Sequence, residues 1–220
     1  MIIILVYKFN NMNKLKNPLV IVSNGYFPTH VTPLKILKEA KSILACDGAA
    51  DKLINNGYTP NIIIGDLDSI SNQSKIKFSD RLIEVNDQSE NDLRKAINYA
   101  IENNITDISI IGASGKREDH IIGNIFSLLD YKDVNIKLFT DTGVFTCIHE
   151  DQKIESHKGQ QVSIFSLDST IKITSNNLKF NFNRNSISTL FYGTLNESIN
   201  DFFEIKISHG SLLIYQTYKV

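Results

Sequence analysis

Between Leu19 and Ile111 the chain repeats one kind of unit, a short apolar run followed by a segment with helical spacing. The runs are Leu19–Val22, Ser42–Cys46, Asn61–Ile64 and Ile108–Ile111, and none of them alternates apolar with polar residues. A strand with one wet face must alternate, so these strands need cover on both faces, and helices between them make a parallel sheet. The spacing predicts helices over Leu34–Lys41, Ala49–Asn56, Ser89–Asn103 and Ile121–Leu129. In the third, Leu93, Ile97 and Ile101 share a face and Ser89 stands as the N-cap.

After about Val134 the pattern changes. Strand-like runs follow one another without helices, at Ile136–Phe139, Val144–Ile148, Val162–Leu167, Ile171–Thr174, Leu178–Phe182, Phe202–Ile207 and Leu212–Tyr218. Several alternate, as in Phe203-Glu-Ile-Lys-Ile, which indicates antiparallel structure with one wet face. The expected fold is an N-terminal α/β domain with a mostly parallel, Rossmann-like sheet (17–142) and a C-terminal all-β sandwich (143–220). Residues 1–16 read as a loose extension, with Met12 as an alternative start. Its apolar run Ile2–Tyr7 is far short of the ~20 residues of a membrane span.

Composition excludes some partners. In 220 residues the formal net charge is −1, which gives no electrostatic pull toward nucleic acid or an anionic membrane. The only two cysteines, Cys46 and Cys147, are too few for a disulfide framework and point to a reducing, cytoplasmic setting. Cys46 is expected to be a small buried residue.

The chemistry lies at the ends of the predicted strands. Cys46-Asp47-Gly48-Ala49 follows the second, Gly65-Asp66-Leu67-Asp68-Ser69 the third, and Gly112-Ala113-Ser114-Gly115-Lys116-Arg117-Glu118-Asp119-His120 the fourth. Asp87-Gln88 and Asp92 form a further cluster between them. Ligands of open α/β sheets bind beyond the carboxyl ends of the strands, so these groups can meet there. Asp66 and Asp68, two apart in an extended segment, would point to one side and offer hard oxygens suited to Mg²⁺. Asp92 would add a ligand from another loop. Arg117 would neutralise phosphate charge, and Gly115 would let a backbone N–H approach it. A lone Asp-x-Asp is common in turns, but acids at successive strand ends are harder to explain as coincidence. Together they indicate a magnesium–nucleotide site.

These segments, in this order and spacing, resemble the thiamine pyrophosphokinase family over about residues 18 to 215. The Gly-Asp-x-Asp-Ser and Arg-x-Asp-His segments are the specific part of the resemblance. It implies transfer of a pyrophosphoryl group from ATP to the hydroxyethyl oxygen of thiamine, releasing AMP. It also implies a homodimer with thiamine at the subunit interface. Asp47, Asp66, Asp68 and Asp92 would hold magnesium and orient the nucleophile, with Asp66, Asp68 and Asp92 counted as catalytic. Gln88 would contact substrate or polyphosphate. Asn24, Gly25, Gly48, Ser114, Gly115, Arg117, Asp119 and His120 would serve the nucleotide, and Thr194 and Asn196 the thiamine.

The chain departs from that family at several points. Lys116 stands where the family has a second glycine, Leu195 replaces a serine in a Gly-x-Ser-Asn segment, and Asn177-Leu178-Lys179-Phe180 replaces Gly-Leu-x-Tyr. Two other readings compete. A nucleotide-sugar transferase using Asp66 and Asp68 would leave Asp92 and Arg117–His120 unexplained. A catalytically idle nucleotide or thiamine sensor is opposed by retention of all four carboxylates.

Overall fold

The computed structural model describes residues 15–219. The expected apolar run at Ile2–Tyr7 and most of the extension lie outside these residues. Leu15 and Lys16 do not behave as a loose extension. Leu15 is buried in the core, and the Lys16 amide donates to Ser42 Oγ.

The first half alternates strand and helix: β1 (Leu19–Val22), α1 (Val31–Glu39), β2 (Ser42–Cys46), α2 (Ala49–Asn55), β3 (Ile62–Gly65), α3 (Asn72–Lys77), β4 (Leu82–Glu84), α4 (Asp92–Glu102), β5 (Asp107–Ile111), α5 (Glu118–Ser127) and β6 (Asn135–Phe139). These six strands pair in parallel in the order β4-β3-β2-β1-β5-β6. Alternate strand residues point into two cores. Leu19, Ile21, Leu44, Ile62 and Ile64 face one core with Leu93, Ala96 and Ile97 of α4. Val20, Val22, Ala45 and Ile63 face the other with Leu37 of α1 and Leu53 of α2. Cover on both faces is why the sequence of these strands shows no alternation.

The second half is β7 (Gly143–Ile148), β8 (Gln152–Glu155), β9 (Gln161–Phe165), β10 (Ile173–Asn176), β11 (Asn183–Asn185), β12 (Asn196–Glu197), β13 (Phe202–Ile207) and β14 (Leu212–Thr217). Strand β7 pairs antiparallel with β6, so the large sheet runs on as β7-β14-β9-β12 and reaches ten strands. A second, antiparallel sheet, β11-β10-β13-β8, shares a core with it. Ile148, Val162, Ile164 and Ile214 from the large sheet meet Ile173, Phe203 and Ile205 from the small one. This is the expected sandwich, with one layer continuous with the parallel sheet.

Some elements differ from expectation. Helix α4 is capped by Asn91, whose Oδ1 accepts from the Arg94 amide, rather than by Ser89. Its buried face is Leu93, Ala96, Ile97 and Ala100, and Ile101 is exposed. Asp87 Oδ1 instead accepts from the Ser89 amide and turns the chain before the helix. Over Leu178–Phe182, expected as a strand, only Leu178 makes an isolated bridge, to Ser198. The preceding Asn177 takes a left-handed φ of 64°, which breaks the extended path. Helix α3 and strands β8, β11 and β12 were not expected from the pattern.

Candidate active site

The parallel strand order reverses at β1. Strands β2, β3 and β4 lie on one side of it and β5 on the other, so the loops after β1 and β5 part at a topological switch point. Backbone bonds join the tips of those two loops. The Gly25 amide donates to Gly112 O at 2.7 Å and the Tyr26 amide to Ser114 O at 2.8 Å. A Cβ at Gly25 would lie 2.3 Å from both Gly112 O and Ser114 O, so only glycine permits this approach. Beyond them opens a cavity of about 370 Å³. Asn24, Asp66, Gln88, Asp92, Lys116, Arg117 and His120 all line it.

The acidic cluster stands at the carboxyl ends of β2 and β3. Asp47, Asp66 and Asp68 each place a carboxylate oxygen within 4.8 Å of the others. Asp47 is buried, and its two oxygens accept from the Ser69 amide at 2.9 Å and the Ile70 amide at 3.1 Å. It therefore anchors the loop that carries Asp68. Ser69 Oγ donates to Asp68 at 2.8 Å, and Gln88 Nε2 donates to Asp66 at 3.4 Å. The segment Asp66–Asp68 is not extended as expected. Leu67 has a left-handed φ of 61°, and a turn rather than a pleat brings the two carboxylates together.

Asp92 opens α4 beside this cluster without belonging to the three-carboxylate group. Lys95, buried one turn later, donates to Asp92 Oδ1 at 3.3 Å and to Val85 O at 3.0 Å. Burial pushes the Asp47 and Asp92 carboxyls up, whereas the Gln88 hydrogen bond holds Asp66 below the usual carboxylate range. The Cys46 thiol, pushed up by burial, donates weakly to Asp92 O, in keeping with a packed residue rather than a reactive one.

At the rim, Arg117 grips Asp119 through both ends of its guanidinium, at 3.1 and 2.6 Å. The hydrogen bond from Arg117 holds the Asp119 carboxyl below its usual range. Gly115, at φ 90°, leaves room for the Tyr26 ring, which a Cβ would approach to 2.2 Å. Gly48 is packed similarly against Asn24 Nδ2. Thr194 and Asn196 do not line this cavity. Thr194 Oγ1 donates to Phe191 O, and the buried Asn196 amide is bonded to Phe180 N, Phe180 O and Glu197 N.

Sequence reasoning missed Lys95 and Lys52. Lys95 stands at i+3 from Asp92, a helical spacing that places the pair side by side, so it was findable. Lys52 Nζ donates to Asn24 O, Asn24 Oδ1 and Gly25 O from a helix more than twenty residues away, which no local signal records.

Comparison with known proteins gives two family matches. Residues 34–140 match the thiamin pyrophosphokinase catalytic domain and residues 143–215 its substrate-binding domain. The chain belongs to the thiamine pyrophosphokinase family. It is similar to Thiamine pyrophosphokinase 1 of Oryza sativa subsp. japonica, 30% identical over 177 residues, covering 72% of this chain and 66% of that one. Thiamine pyrophosphokinase 2 of Arabidopsis thaliana is 29% identical over 163 residues. The match spans 60% of that relative's own length. A solved thiamin pyrophosphokinase from Geobacillus thermodenitrificans has the same fold, with a TM-score of 0.77 at 22% identity over 91% of this chain and 97% of that one. Among the described residues no helix is long and apolar enough to cross a membrane.

The donor set fits Mg²⁺, a hard cation that takes carboxylate oxygens, water and phosphate. The raised carboxyls fix the sign of a test. A carboxyl with a raised folded-state pKa favours folding below the ordinary carboxylate range and loses that contribution as pH rises through its folded-state value. As pH rises, the raised Asp47 and Asp92 carboxyls lose that contribution, and a divalent cation at the cluster would restore part of it. Magnesium chloride is expected to raise the melting temperature by a few degrees at pH 7.5 and by clearly less at pH 5. Melting curves against sodium chloride of equal ionic strength check this, and equal shifts from both salts would contradict it.

Proposed function

We propose that this protein transfers the pyrophosphoryl group of ATP to the hydroxyethyl oxygen of thiamine, giving thiamine diphosphate and AMP. The observation that carries this reading is the convergence of Asp47, Asp66 and Asp68 within 4.8 Å beside the switch-point cavity, in a chain of this family. The thiamine oxygen attacks the β-phosphorus, the bond from that phosphorus to the α–β bridging oxygen breaks, and AMP leaves with the bridging oxygen. The hydroxyl proton passes to a carboxylate of the cluster or to water.

Such a transfer needs positioning and charge neutralisation more than covalent help from the protein. Asp66 and Asp68, with Asp47 behind them and Asp92 alongside, would hold Mg²⁺, which when bound offsets phosphate charge. Gln88 positions Asp66 and faces the cavity. Asn24, Gly25, Gly48, Ser114, Gly115, Arg117, Asp119 and His120 form the nucleotide side. The part from 17 to 142 is thus the nucleotide and magnesium domain, and 143–220 the thiamine and dimerisation domain.

Thiamine would meet Thr194 and Asn196 of a second copy. Exposed Phe180, Phe191 and Leu195 next to them form an apolar face of the kind a partner subunit covers. The two free cysteines suit the cytoplasm. Asn196→Ala is expected to raise the KM for thiamine about tenfold while ATP affinity stays within twofold. Losing three partly buried hydrogen bonds should also lower the melting point. An equal loss of ATP affinity, measured by titration calorimetry, would contradict this division of labour.

Product analysis of protein with ATP, Mg²⁺ and thiamine tests the reaction. Thiamine diphosphate with equimolar AMP supports it. ADP with thiamine monophosphate, or no product, overturns it.

A further inference from the structure

Among the described residues three cationic side chains line the cavity: Lys95, Lys116 and Arg117. Two already have counter-charges. Lys95 is paired with Asp92 at 3.3 Å and Arg117 with Asp119 at 2.6 Å. Among the described residues Lys116 has none: its Nζ donates to the neutral Asn24 Oδ1, at 3.1 Å. The same oxygen also takes Lys52 Nζ at 3.0 Å, so two ammonium groups share one amide oxygen with no carboxylate among the described residues paired to either. Burial, reinforced by the neighbouring Lys116 charge, pushes the Lys52 amine down to about 8. An anion at this place would relieve the repulsion and give Lys116 a partner.

The position fits an anion that enters the cavity. Lys116 immediately precedes Arg117, the N-cap of the ten-residue helix α5, and follows the Ser114–Gly115 turn. It is an exposed side chain on a flexible stem, tethered to the loop after β1 through Asn24, which Lys52 of α2 also holds.

We propose that Lys116 binds the phosphate chain of the nucleotide donor and brings an uncompensated positive charge to the cavity, a role that Arg117, occupied by Asp119, does not fill alone. This rests on the reading of the cavity as an ATP site and deepens it by naming a residue that distinguishes triphosphate from uncharged nucleoside. Lys52 acts through Asn24 and is a positioning residue.

The test is calorimetric binding of ATP and of adenosine to the full chain with Mg²⁺ present, comparing wild type with Lys116→Gln and Lys116→Arg. Glutamine keeps a donor for Asn24 Oδ1 and removes the charge. Lys116→Gln is expected to weaken ATP about fivefold or more, leave adenosine within twofold, and flatten the salt dependence of ATP binding. Lys116→Arg should recover most of the loss. Equal ATP affinity in wild type and Lys116→Gln overturns the proposal while leaving the ATP site standing. So does a loss shared by adenosine or not recovered by arginine, which would mark a structural role. No ATP binding by the wild type overturns the site reading and this proposal with it.

Discussion

Asp68→Asn is expected to lower the rate of thiamine diphosphate formation by at least about a thousandfold, with the fold intact. Asp68 is exposed, and the hydrogen bond it receives from Ser69 Oγ can be kept by an asparagine oxygen. The stability change should therefore stay within about 0.5 kcal/mol. The charge is what disappears, from a cluster whose oxygens lie within 4.8 Å of one another and which suits a divalent cation through its negative charge. Removing an electrostatic contact made to the developing transition state typically costs about 10²–10³, and weaker cation binding adds to it. Coupled assay of AMP release, with circular dichroism and a melting curve on the same sample, checks the prediction. Activity near wild type would remove Asp68 from the metal site. The neighbouring Asp47→Asn is a useful contrast. Asp47 takes a backbone N–H on each oxygen, and an amide can accept on one only, so this variant should lose about 1–3 kcal/mol of stability as well as activity.

The contrast bears on how much of the molecule was legible in its sequence. Ile62 to Ile64 could be read as a doubly covered strand because each residue enters one of two cores and no position tolerates a polar group. The acids were legible for a related reason: Asp47 and Asp66 directly follow such strands, and a parallel sheet delivers those ends to one edge. What depends on local backbone sign was not legible. Leu67 is an ordinary apolar residue in sequence, and nothing marks it as the left-handed pivot that brings Asp66 to Asp68. Ser89 and Asn91 are both good caps, and spacing alone does not choose between them, whereas in the fold Asn91 caps α4 and also bonds Asn124. Leu178–Phe182 has strand-forming residues, yet Phe180 is exposed and the segment is held by Asn196 rather than by a ladder. The charge balance at the rim was equally hidden. That Arg117 is taken by Asp119 whereas Lys116 is not depends on side-chain placement that spacing does not encode.

Gly65→Ala is expected to cost at least about a hundredfold in turnover together with several degrees of melting temperature. Gly65 ends β3 between two acids. A Cβ there would stand 2.9 Å from Asp47 Cβ and 3.2 Å from Asp92 Cγ and Oδ1. Neither neighbour is free to retreat. Asp47 is clamped by the Ser69 and Ile70 amides, and Asp92 by its helix turn and by buried Lys95. The methyl group must therefore spread the cluster, and displacement of about 1 Å in a reacting geometry costs on the order of 10²-fold. Overpacking of this kind adds about 1–3 kcal/mol, and each kcal/mol is worth roughly 2–4 °C in a protein of this size. Gly57 supplies the control, since its φ is 82° but none of the described residues comes within 4 Å of a Cβ placed there. Gly57→Ala should lower the melting point through backbone strain of about 1–2 kcal/mol and leave turnover within twofold. If the two variants lose stability alike and Gly65→Ala remains active, the carboxylates do not need the spacing that Gly65 sets, and the cluster is not the catalytic centre.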